Sequence, residues 1–321
     1  MKAIVQDKYG APDDVLELNE IDKPVVNDDE VLVGVHAAGV NAADCFIMRG
    51  QFPIRMVYGL GKPRNGVRGT DVAGIVEAVG KDVKQFQPGD EVFGWCKGSF
   101  AEYVCAEENN FVSKPANLTF EQAASVPMAA FVALQALRDK GEVQPGQKVL
   151  INGASGGIGT FTVQMAKHFG AEVTGVCSTR NVDMVRSIGA DHVIDYTQED
   201  FTQSGQRYDF ILDIVANHSL SDTRRALTPK GTLIPNSGTK GMGYIVRANV
   251  LSLFVPQKTR TFVSLPKNDD LATLKELIEA EKVTPVIDRT YPLSETPEAL
   301  SYVEQGHTQG KVVITVEQNQ K

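Results

Sequence analysis

Four glycines, at positions 153, 156, 157 and 159, form the part of this sequence best suited to bind a ligand. The apolar run Val149–Ile151 precedes them and is typical of a strand buried on both faces. A segment with apolar side chains at helical spacing follows them and ends at Gly170. Glycines let the backbone approach a pyrophosphate closely, and the free N–H groups at a helix start favour negative charge. The stretch therefore predicts an anion-binding turn between a strand and a helix.

The context of the glycines narrows the anion to a dinucleotide. Their pattern is not the strict G-x-G-x-x-G, and it lacks the Lys-Ser/Thr ending of a P-loop, which argues against hydrolysis of nucleoside triphosphates. A second apolar segment, Glu172–Ser178, follows the helix and completes a βαβ unit of the expected length, roughly 30 residues. We interpret the turn as a dinucleotide site. The alternative is an ordinary tight turn between strand and helix.

The residues after this second strand indicate which dinucleotide binds. An enzyme of such a fold that uses NAD usually ends that strand with an acidic residue, which holds the adenosine ribose. Here the chain continues as Ser178-Thr179-Arg180, so hydroxyls and a guanidinium stand in that place. Both groups suit a 2′-phosphate, which arginine can bind through two hydrogen bonds. We therefore predict NADPH as the cofactor; the alternative is that Ser178 and Arg180 only cap the next helix.

Composition argues against several other classes of protein. The chain has 321 residues, which favours two domains, and its net charge of −8 with a pI near 5.3 argues against nucleic acid as a partner. It has no run of about 18 apolar residues, so we expect no membrane span. Four cysteines are scattered without a C-x-x-C pair, and strand-like sequence starts at the N-terminus without a signal segment. We therefore expect a cytoplasmic protein with reduced thiols.

The first 118 residues have the pattern of a β-barrel-like domain. Short segments rich in β-branched residues alternate with turn sequences such as Pro88-Gly-Asp90. A helix is predicted over Ala42–Arg49, and the long loop 53–68 is rich in Gly and Arg, which favours a functional role. The C-terminal segment Gly310–Val316 is again strand-like. We predict one discontinuous domain made of residues 1–122 and 285–321.

From Thr119 onward, strands and helices alternate. Thr119 and Gln122 have the spacing of a capping box, Thr261–Ser264 is a candidate strand, and Asn268 is predicted to cap a later helix. The predicted strands of this part span 148–152, 172–177, 192–195, 209–214 and 231–235, and the predicted helices span 127–139, 158–169, 181–188 and 219–227. Such alternation predicts an α/β domain, residues 123–284, with a doubly wound parallel sheet whose binding edge lies at the carboxyl ends of its strands.

Several motifs, in order along nearly the whole chain, resemble those of one known family. They are Gly39-Val-Asn-Ala-Ala-Asp44, Arg49-Gly50, Asp71–Val76, Pro88–Val92, Ala154–Gly159, Gly189–Asp195 and Gly310–Val313. On these residues the chain resembles the medium-chain dehydrogenase/reductase superfamily and, within it, the zinc-free quinone oxidoreductase branch that includes the zeta-crystallins. The resemblance implies a GroES-like β-barrel domain and a Rossmann domain that binds NADPH. A nicotinamide cofactor delivers hydride, which no protein side chain can do.

The resemblance also implies chemistry without a metal. Alcohol dehydrogenases of the superfamily hold a catalytic zinc through a Cys and a His, and this chain has Asn41 and Thr70-Asp71 at the matching places. The five histidines show no metal-ligand spacing. Without a Lewis acid, alcohol oxidation lacks its usual means of stabilising an alkoxide. Reduction of a quinone or an α,β-unsaturated carbonyl needs only one or two hydrogen-bond donors for the developing oxyanion, so we predict such an acceptor.

Three side chains are candidate catalytic donors to the acceptor: Asn41, Tyr58 and Thr70. Asn41 takes the place of the zinc-binding Cys, and its alternative role is local support of the turn. Tyr58 could donate a proton, or it could be a surface aromatic residue. Asp44 is expected to cap the 42–49 helix or to pair with Arg49 rather than to act as a base.

The expected contacts of the cofactor are spread along the chain. Ligands bind at the carboxyl ends of parallel strands, so we expect contacts at the glycine turn, at the end of the second strand, and at Val215 and Ser237, which follow later predicted strands. The resemblance adds Tyr196, the 253–255 segment and a terminal lysine. The full predicted set is Asn41, Ala154, Ser155, Gly156, Gly157, Ile158, Gly159, Ser178, Arg180, Tyr196, Val215, Ser237, Leu253, Phe254, Val255, Gly310 and Lys311.

Alternatives of other classes were weighed against this prediction. Short-chain dehydrogenases need a Tyr-x-x-x-Lys pair after the glycine motif, and here that spacing occurs only upstream, at Tyr58–Lys62. Phe52 stands where the enoyl-thioester reductases of the superfamily have a catalytic Tyr, which argues against that activity. A zinc-independent alcohol or aldehyde oxidoreductase and a non-catalytic NADPH-binding protein, structural or RNA-binding, stay open. Relatives are commonly dimers, and the apolar segment 242–256 is compatible with a homodimer.

Overall fold

The computed structural model describes residues 1–52, 54–64, 66–236 and 256–317. The chain divides into two compact units. The first unit comprises Met1–Ala129, Pro266–Glu281 and Pro285–Lys321, and the second comprises Ala130–Leu265 and Lys282–Thr284. The domain boundaries inferred above stay a prediction.

The strands and helices are numbered in chain order. The strands are β1 (Lys2–Gln6), β2 (Leu16–Glu20), β3 (Glu30–Val40), β4 (Asp71–Val79), β5 (Glu91–Trp95), β6 (Tyr103–Glu107), β7 (Phe111–Ser113), β8 (Lys148–Asn152), β9 (Glu172–Cys177), β10 (His192–Asp195), β11 (Tyr208–Asp213), β12 (Leu227–Pro235), β13 (Lys258–Thr259), β14 (Ile287–Pro292) and β15 (Lys311–Thr315). The α-helices are α1 (Pro12–Val15), α2 (Ala42–Arg49), α3 (Ile54–Tyr58), α4 (Phe120–Ala124), α5 (Pro127–Gln135), α6 (Gly157–His168), α7 (Val182–Ser187), α8 (Leu220–Arg225), α9 (Asn268–Glu279) and α10 (Thr296–Glu304). In the part of the chain that is described, no helix has the length and apolar character needed to cross a membrane.

Strand β3 organises the sheet of the first unit. The order of this sheet is β14-β15-β3-β4-β5-β7, and β6 also pairs with β3, while β1 and β2 form a separate antiparallel pair. The sequence of β3 is nearly continuous in apolar residues, and Val31, Val33 and Val35 are fully buried. This β-rich unit, completed by the C-terminal strand β15, agrees with the barrel-like domain expected from the sequence.

The register of this sheet brings three strand ends to one edge. Asp71, the first residue of β4, pairs with Gly39 near the end of β3. Val40, the last residue of β3, pairs with the residue that follows Lys311 on β15. Asn41 comes directly after Val40. The backbone pairing therefore places residues 41, 71 and 311 next to one another, although they are far apart in the sequence.

Helix α2 begins at this edge. Asn41 is its N-cap, and the Asp44 carboxylate accepts a hydrogen bond from the Asn41 N–H, which completes a capping box. The helix ends at Gly50, where φ is +60° and a Cβ atom would lie 2.3 Å from the Tyr9 ring. The predicted helix is therefore confirmed. Of the two roles expected for Asp44, the structure shows the cap, because Arg49 pairs with Glu304 instead.

The second unit contains a six-stranded sheet in the order β10-β9-β8-β11-β12-β13, and every pair in it is parallel. In the order of appearance within the sheet this is 3-2-1-4-5-6, the strand order of a Rossmann fold. The doubly wound parallel sheet predicted from the alternation of strands and helices is confirmed. Strands β8, β9 and β10 have the predicted bounds.

Two local predictions were wrong. The strand expected at Thr261–Ser264 lies at Lys258–Thr259, where the chain pairs with β12. Asn268 is the first residue of α9 rather than its cap. Its side-chain amide donates to the carbonyls of Asn109 and Phe111, so a tertiary contact fixes the side chain away from the helix start. The helical segment predicted over 127–139 is confirmed: it is an α-helix to Gln135 and continues as a π-helical turn over Ala136–Gly141.

Candidate functional site

The glycine turn follows β8 and opens α6 in the second unit. Gly153 has a φ of +97°, a conformation that favours glycine. A Cβ atom on Gly159 would lie 2.1 Å from the carbonyl oxygen of Gly153, so only glycine fits there. A Cβ atom on Gly156, the N-cap of α6, would meet only that same oxygen at 3.6 Å. The backbone is therefore open at Gly156, where the N–H groups of the first helical turn can face an anion.

Ser155, in the same turn, has a partner that the sequence did not indicate. The side-chain amide of Asn181 donates to the Ser155 hydroxyl at 2.9 Å. Because that hydroxyl oxygen already accepts a bond, its own proton is directed away from Asn181 and can go to a phosphate oxygen. Asn181 is buried, and its carbonyl oxygen Oδ1 has no hydrogen-bond partner in the structure. The sequence offered one signal for this residue: Asn181 lies three residues after Ser178, close to the predicted end of the second strand.

The ends of β9 and β10 bring together the residues assigned to the 2′-phosphate. Ser178 precedes a 3₁₀ turn that contains Arg180, which is exposed, and Tyr196 follows β10 with its N–H bound to the carbonyl of Cys177. The structure adds a carboxylate that the sequence argument did not consider. Asp195 accepts a hydrogen bond of 2.6 Å from the Thr179 hydroxyl, and this bond lowers the pKa of Asp195.

Asp195 is also held from the other side. Its second oxygen accepts bonds from the N–H and the hydroxyl of Thr197, at 3.0 Å and 2.8 Å. Both carboxylate oxygens are therefore occupied by neutral donors of the protein. Arg180, an exposed cation, lies in the 3₁₀ turn that follows β9.

The loop after β11 is shaped by a buried polar network. Asn152 donates to Asp213 at 2.8 Å and to Asn217 at 2.9 Å, and the N–H of Ala216 donates to the same Asp213 oxygen. These bonds hold Ala216 at a φ of +53°, which is unusual for a residue with a Cβ atom. Val215 is left half exposed beside the glycine turn. A Cβ atom on Gly153 would lie 2.9 Å from the Val215 side chain.

The other predicted contacts near the ring end lie outside the described residues. They are Ser237, Leu253, Phe254 and Val255, and they stay predictions. The segment 242–256, considered for a dimer, also lies almost entirely outside the described ranges.

In the first unit, Asn41, Asp71 and Lys311 form a compact polar cluster. The ammonium Nζ of Lys311 donates to Asn41 Oδ1 at 2.5 Å and lies 3.5 Å from Asp71 Oδ2. Asn41 Nδ2 donates to the same Asp71 oxygen at 3.0 Å, and the N–H of Met128 donates to the other at 3.1 Å. Asp71 is completely buried and Lys311 is 3 % exposed.

Burial changes the acidity of both charged members. Burial raises the pKa of Asp71, and the Lys311 cation opposes that rise; burial lowers the pKa of Lys311, and Asp71 opposes that fall. Each group therefore stabilises the charge of the other in a place without solvent. Lys311 was predicted to reach the cofactor. The structure shows it ion-paired with Asp71, a partnership that sequence reasoning missed because 240 residues separate the two.

Three further side chains extend this cluster. The hydroxyl of Thr70 donates to Asp44 Oδ1 at 3.4 Å, while Asp44 Oδ2 accepts the capping bond from the N–H of Asn41 at 2.8 Å. Asp44 is buried, and burial raises its pKa to about 7. The buried Arg68 interacts electrostatically with Asp44. We call Asn41, Asp44, Thr70, Asp71, Lys311 and Arg68 the polar cluster.

Tyr58, the third candidate donor, ends the short helix α3. Tyr58 is 42 % exposed, and it interacts electrostatically with Arg68. The structure thus brings Asn41 and Thr70 together around Asp44 and Asp71, and it places Tyr58 next to Arg68. Gly310 has a φ of +91°, and a Cβ atom there would lie 2.2 Å from the carbonyl oxygen of Val286, so its backbone role is structural.

The polar cluster does not have the composition of a zinc site. Protein ligands of zinc are thiolates, imidazoles and carboxylates. At the places of the zinc ligands, Asn41 and Thr70 offer an amide and a hydroxyl, and the carboxylate of Asp71 is paired with the ammonium of Lys311, which also donates to the amide oxygen. These residues do not fit a zinc ion. Among the described residues, no group of three or more His, Cys, Asp or Glu side chains is arranged to hold a metal.

Comparison with known proteins agrees with this architecture. Residues 27–116 match the alcohol dehydrogenase GroES-like domain, and residues 188–314 match the family described as zinc-binding dehydrogenase. The mitochondrial NAD(P)H oxidoreductase RTN4IP1 of Mus musculus is 36 % identical, over 98 % of this chain and 89 % of the mouse protein. The chloroplastic NADPH-dependent alkenal/one oxidoreductase of Arabidopsis thaliana is 34 % identical, over 98 % of this chain and 79 % of the plant protein.

A solved structure has the same fold over the full length. The quinone oxidoreductase from Coxiella burnetii superposes with a TM-score of 0.88 at 31 % identity, and the match covers 99 % of each chain. The fold class inferred from the sequence, a GroES-like domain with a Rossmann domain, is confirmed.

The expectation of a cytoplasmic protein is contradicted. The mouse, zebrafish, bovine and human relatives are mitochondrial, and the Arabidopsis relative is chloroplastic. The prediction rested on composition and on the absence of paired cysteines. These features indicate reduced thiols, and they do not distinguish one reducing compartment from another.

Full-length similarity, the parallel sheet in Rossmann order and the GroES-like unit lead to one assignment. The chain belongs to the medium-chain dehydrogenase/reductase superfamily, in its quinone oxidoreductase branch.

Proposed function

We propose that the protein is an NADPH-dependent oxidoreductase that reduces a quinone or an α,β-unsaturated carbonyl compound without a metal. The observation that carries this proposal is the position of the Lys311 ammonium, 2.5 Å from Asn41 Oδ1 and 3.5 Å from Asp71 Oδ2. We infer that this cation, which contacts two of the residues that the resemblance matches to zinc ligands, takes over the role of a metal there. The names of the Arabidopsis and Coxiella relatives support both classes of acceptor.

The second unit supplies the residues that fit NADPH. The open backbone at Gly156 and the outward proton of Ser155 suit the pyrophosphate. The hydroxyl of Ser178 and the guanidinium of Arg180 suit the 2′-phosphate, because both are hydrogen-bond donors and one is charged. The carboxylate of Asp195 would repel a 2′-phosphate, but hydrogen bonds from Thr179 and Thr197 to both of its oxygens weaken this repulsion.

The polar cluster supplies the donors for the acceptor. When bound, NADPH supplies the hydride that is transferred. Asn41 Nδ2 has two protons, and one of them is used on Asp71, so the other is available to an oxygen of the acceptor. Thr70 is half-buried, and its hydroxyl donates to Asp44 Oδ1; when Asp44 is protonated, that hydroxyl can donate to the acceptor instead. Two such donors, held in place by buried partners, stabilise an oxyanion as charge develops on it.

A direct test is the consumption of NADPH with 9,10-phenanthrenequinone and with a small enone, each measured before and after dialysis against EDTA. Turnover of either acceptor that survives dialysis is the expected result. Turnover that EDTA abolishes and zinc restores would contradict the metal-free mechanism. If NADPH binds but neither acceptor is reduced, the non-catalytic alternative is favoured, and oxidation of an alcohol in place of these reductions would favour the alcohol oxidoreductase.

Two further expectations stay proposals. A homodimer is expected from the resemblance and is tested by sedimentation of the purified protein. The absence of a nucleic-acid partner is expected from the net charge of −8, and it is tested by a mobility-shift assay with RNA.

A further inference from the structure

The side chain of Asp44 caps α2 and also lies next to a candidate catalytic donor, Thr70. Reduction of a quinone or an enone adds one hydride and one proton, and the source of the proton is not evident from the donors named above. Asp44 is a buried carboxyl in the polar cluster, one hydrogen bond away from the Thr70 hydroxyl. The two oxygens of its carboxyl have different partners, and this difference determines where a proton can reside.

The oxygen Oδ2 cannot carry the proton without losing the cap. It accepts a bond of 2.8 Å from the N–H of Asn41, and a backbone N–H can only donate. A proton on Asp44 must therefore be bound to Oδ1. That oxygen accepts a bond of 3.4 Å from the Thr70 hydroxyl, and a proton on Oδ1 reverses the direction of this bond. A hydroxyl can accept one hydrogen bond while it donates another, so Thr70 can receive this proton and release its own.

The charges around Asp44 keep such a proton available. Burial raises the pKa of Asp44 to about 7, and the nearby Asp71 adds to the rise, while Lys311 and Arg68 oppose it. Cys45, the next residue, also interacts with Asp44, but burial raises the pKa of its thiol so far that it stays neutral. With one carboxylate and two cations as its charged neighbours, Asp44 exchanges its proton near neutral pH.

We propose that Asp44 holds the proton that the acceptor takes up and that it passes this proton through the hydroxyl of Thr70. The proposal rests on the function proposed above. As the acceptor gains the hydride, its developing oxyanion takes the proton of Thr70, so the Thr70 O–H bond breaks and a new O–H bond forms on the acceptor. The Oδ1–H bond of Asp44 breaks as its proton moves to Thr70 Oγ1.

At the end of this step Thr70 is again a neutral hydroxyl and Asp44 is an anion. After the product leaves, water protonates Asp44 through Thr70, which is half-buried and so reaches solvent. For an enone, the enol formed in this way rearranges to the saturated ketone in solution. Asp44 thus acts through Thr70 and is a positioning residue, whereas Thr70 touches the acceptor.

The experiment compares four proteins: the wild type, Asp44→Asn, Thr70→Val and Thr70→Ser. Turnover of the acceptor identified above is measured from pH 5.5 to 9, with NADPH binding followed by fluorescence. For the wild type, kcat should fall as the pH rises through about 7, because Asp44 loses its proton. Asp44→Asn and Thr70→Val should lose this pH-dependent limb and roughly 100-fold in kcat, while NADPH binding is kept. Thr70→Ser keeps the hydroxyl and should keep the limb.

The outcomes separate this proposal from the proposed function. A wild type that reduces no acceptor overturns both. An active wild type with an unchanged pH profile in Asp44→Asn, or a Thr70→Val that matches Thr70→Ser, overturns the proton route alone. Asn at position 44 can still accept the capping bond, and circular dichroism checks that the variant folds. Thr70→Val leaves the capping box intact, so it tests the route even if Asp44→Asn does not fold.

Discussion

Lys311 donates a hydrogen bond of 2.5 Å to Asn41, a residue 270 positions earlier in the chain. The bond exists because β15 pairs with β3 and places their adjoining ends side by side. It orients the Asn41 amide with its oxygen toward the cation and its nitrogen toward Asp71. This orientation leaves one N–H of the amide as a donor of fixed direction, which is suited to bind an oxyanion.

Removing the buried cation should destabilise the protein strongly. In Lys311→Met, the completely buried Asp71 loses its ion-pair partner, and the free energy of unfolding should fall by about 3–5 kcal/mol. Urea unfolding measures the change. Lys81→Met is the control, because its pair with Asp28 is exposed and should contribute less than about 1 kcal/mol. Adding Asp71→Asn to Lys311→Met should restore part of the loss, and a double variant less stable than Lys311→Met would refute the pairing.

The glycines of the turn should separate by role. Gly159→Ala forces a Cβ atom to within 2.1 Å of a backbone oxygen, so it should lower the free energy of unfolding by about 1–3 kcal/mol and weaken NADPH binding. Gly156→Ala meets nothing closer than 3.6 Å and should cost less than about 1 kcal/mol of stability. Its methyl group would obstruct the pyrophosphate, so the Kd for NADPH should still rise. Equal stability losses in the two variants would contradict this assignment.

The charge at Arg180 should decide between the two nicotinamide cofactors. Arg180→Glu replaces the proposed partner of the 2′-phosphate by an anion. The KM for NADPH should rise at least about tenfold, because a hydrogen bond to a charged group contributes about 1.5 kcal/mol or more. The KM for NADH should change little. Arg186→Glu is the matched control, since Arg186 lies on α7, is exposed and faces Asp183. An equal effect of Arg180→Glu on both cofactors would rule out the 2′-phosphate assignment.

The raised pKa of Asp44 also makes a prediction for stability. Between its ordinary value near 4 and about 7, the folded protein holds a proton on Asp44 that the unfolded chain has released. The contribution of Asp44 to the free energy of unfolding is therefore largest at low pH and decreases as the pH rises to about 7. Urea unfolding at pH 5 and pH 7.5 should show a smaller decrease for Asp44→Asn than for the wild type. Parallel pH dependence in both would show that Asp44 titrates normally.

Much of the second unit was predictable because its signals are local. The strand, glycine turn and helix at 149–170 are encoded by apolar spacing and by backbone conformations that only glycine adopts readily. Strand bounds such as 148–152 and 172–177 agree with the structure for this reason. Where a signal depended on a distant partner, local reasoning failed. Asn268 has the type of a cap, but two carbonyls of the 109–111 segment bind its side chain instead.

The sequence by itself determined the alternation of strands and helices, the glycine turn and the helix at 42–49, since each depends on residue types and spacings within a short stretch; motifs in order along the chain indicated the family. Tertiary structure alone decided that Asn41, Asp71 and Lys311 meet, because strand register, a long-range property, places them at one edge. It also decided that Asp44, which the sequence marks as a cap or as a partner of Arg49, is buried against Thr70. Burial changes the energy of a charge, and no local pattern of residue types records how deeply a side chain will be buried.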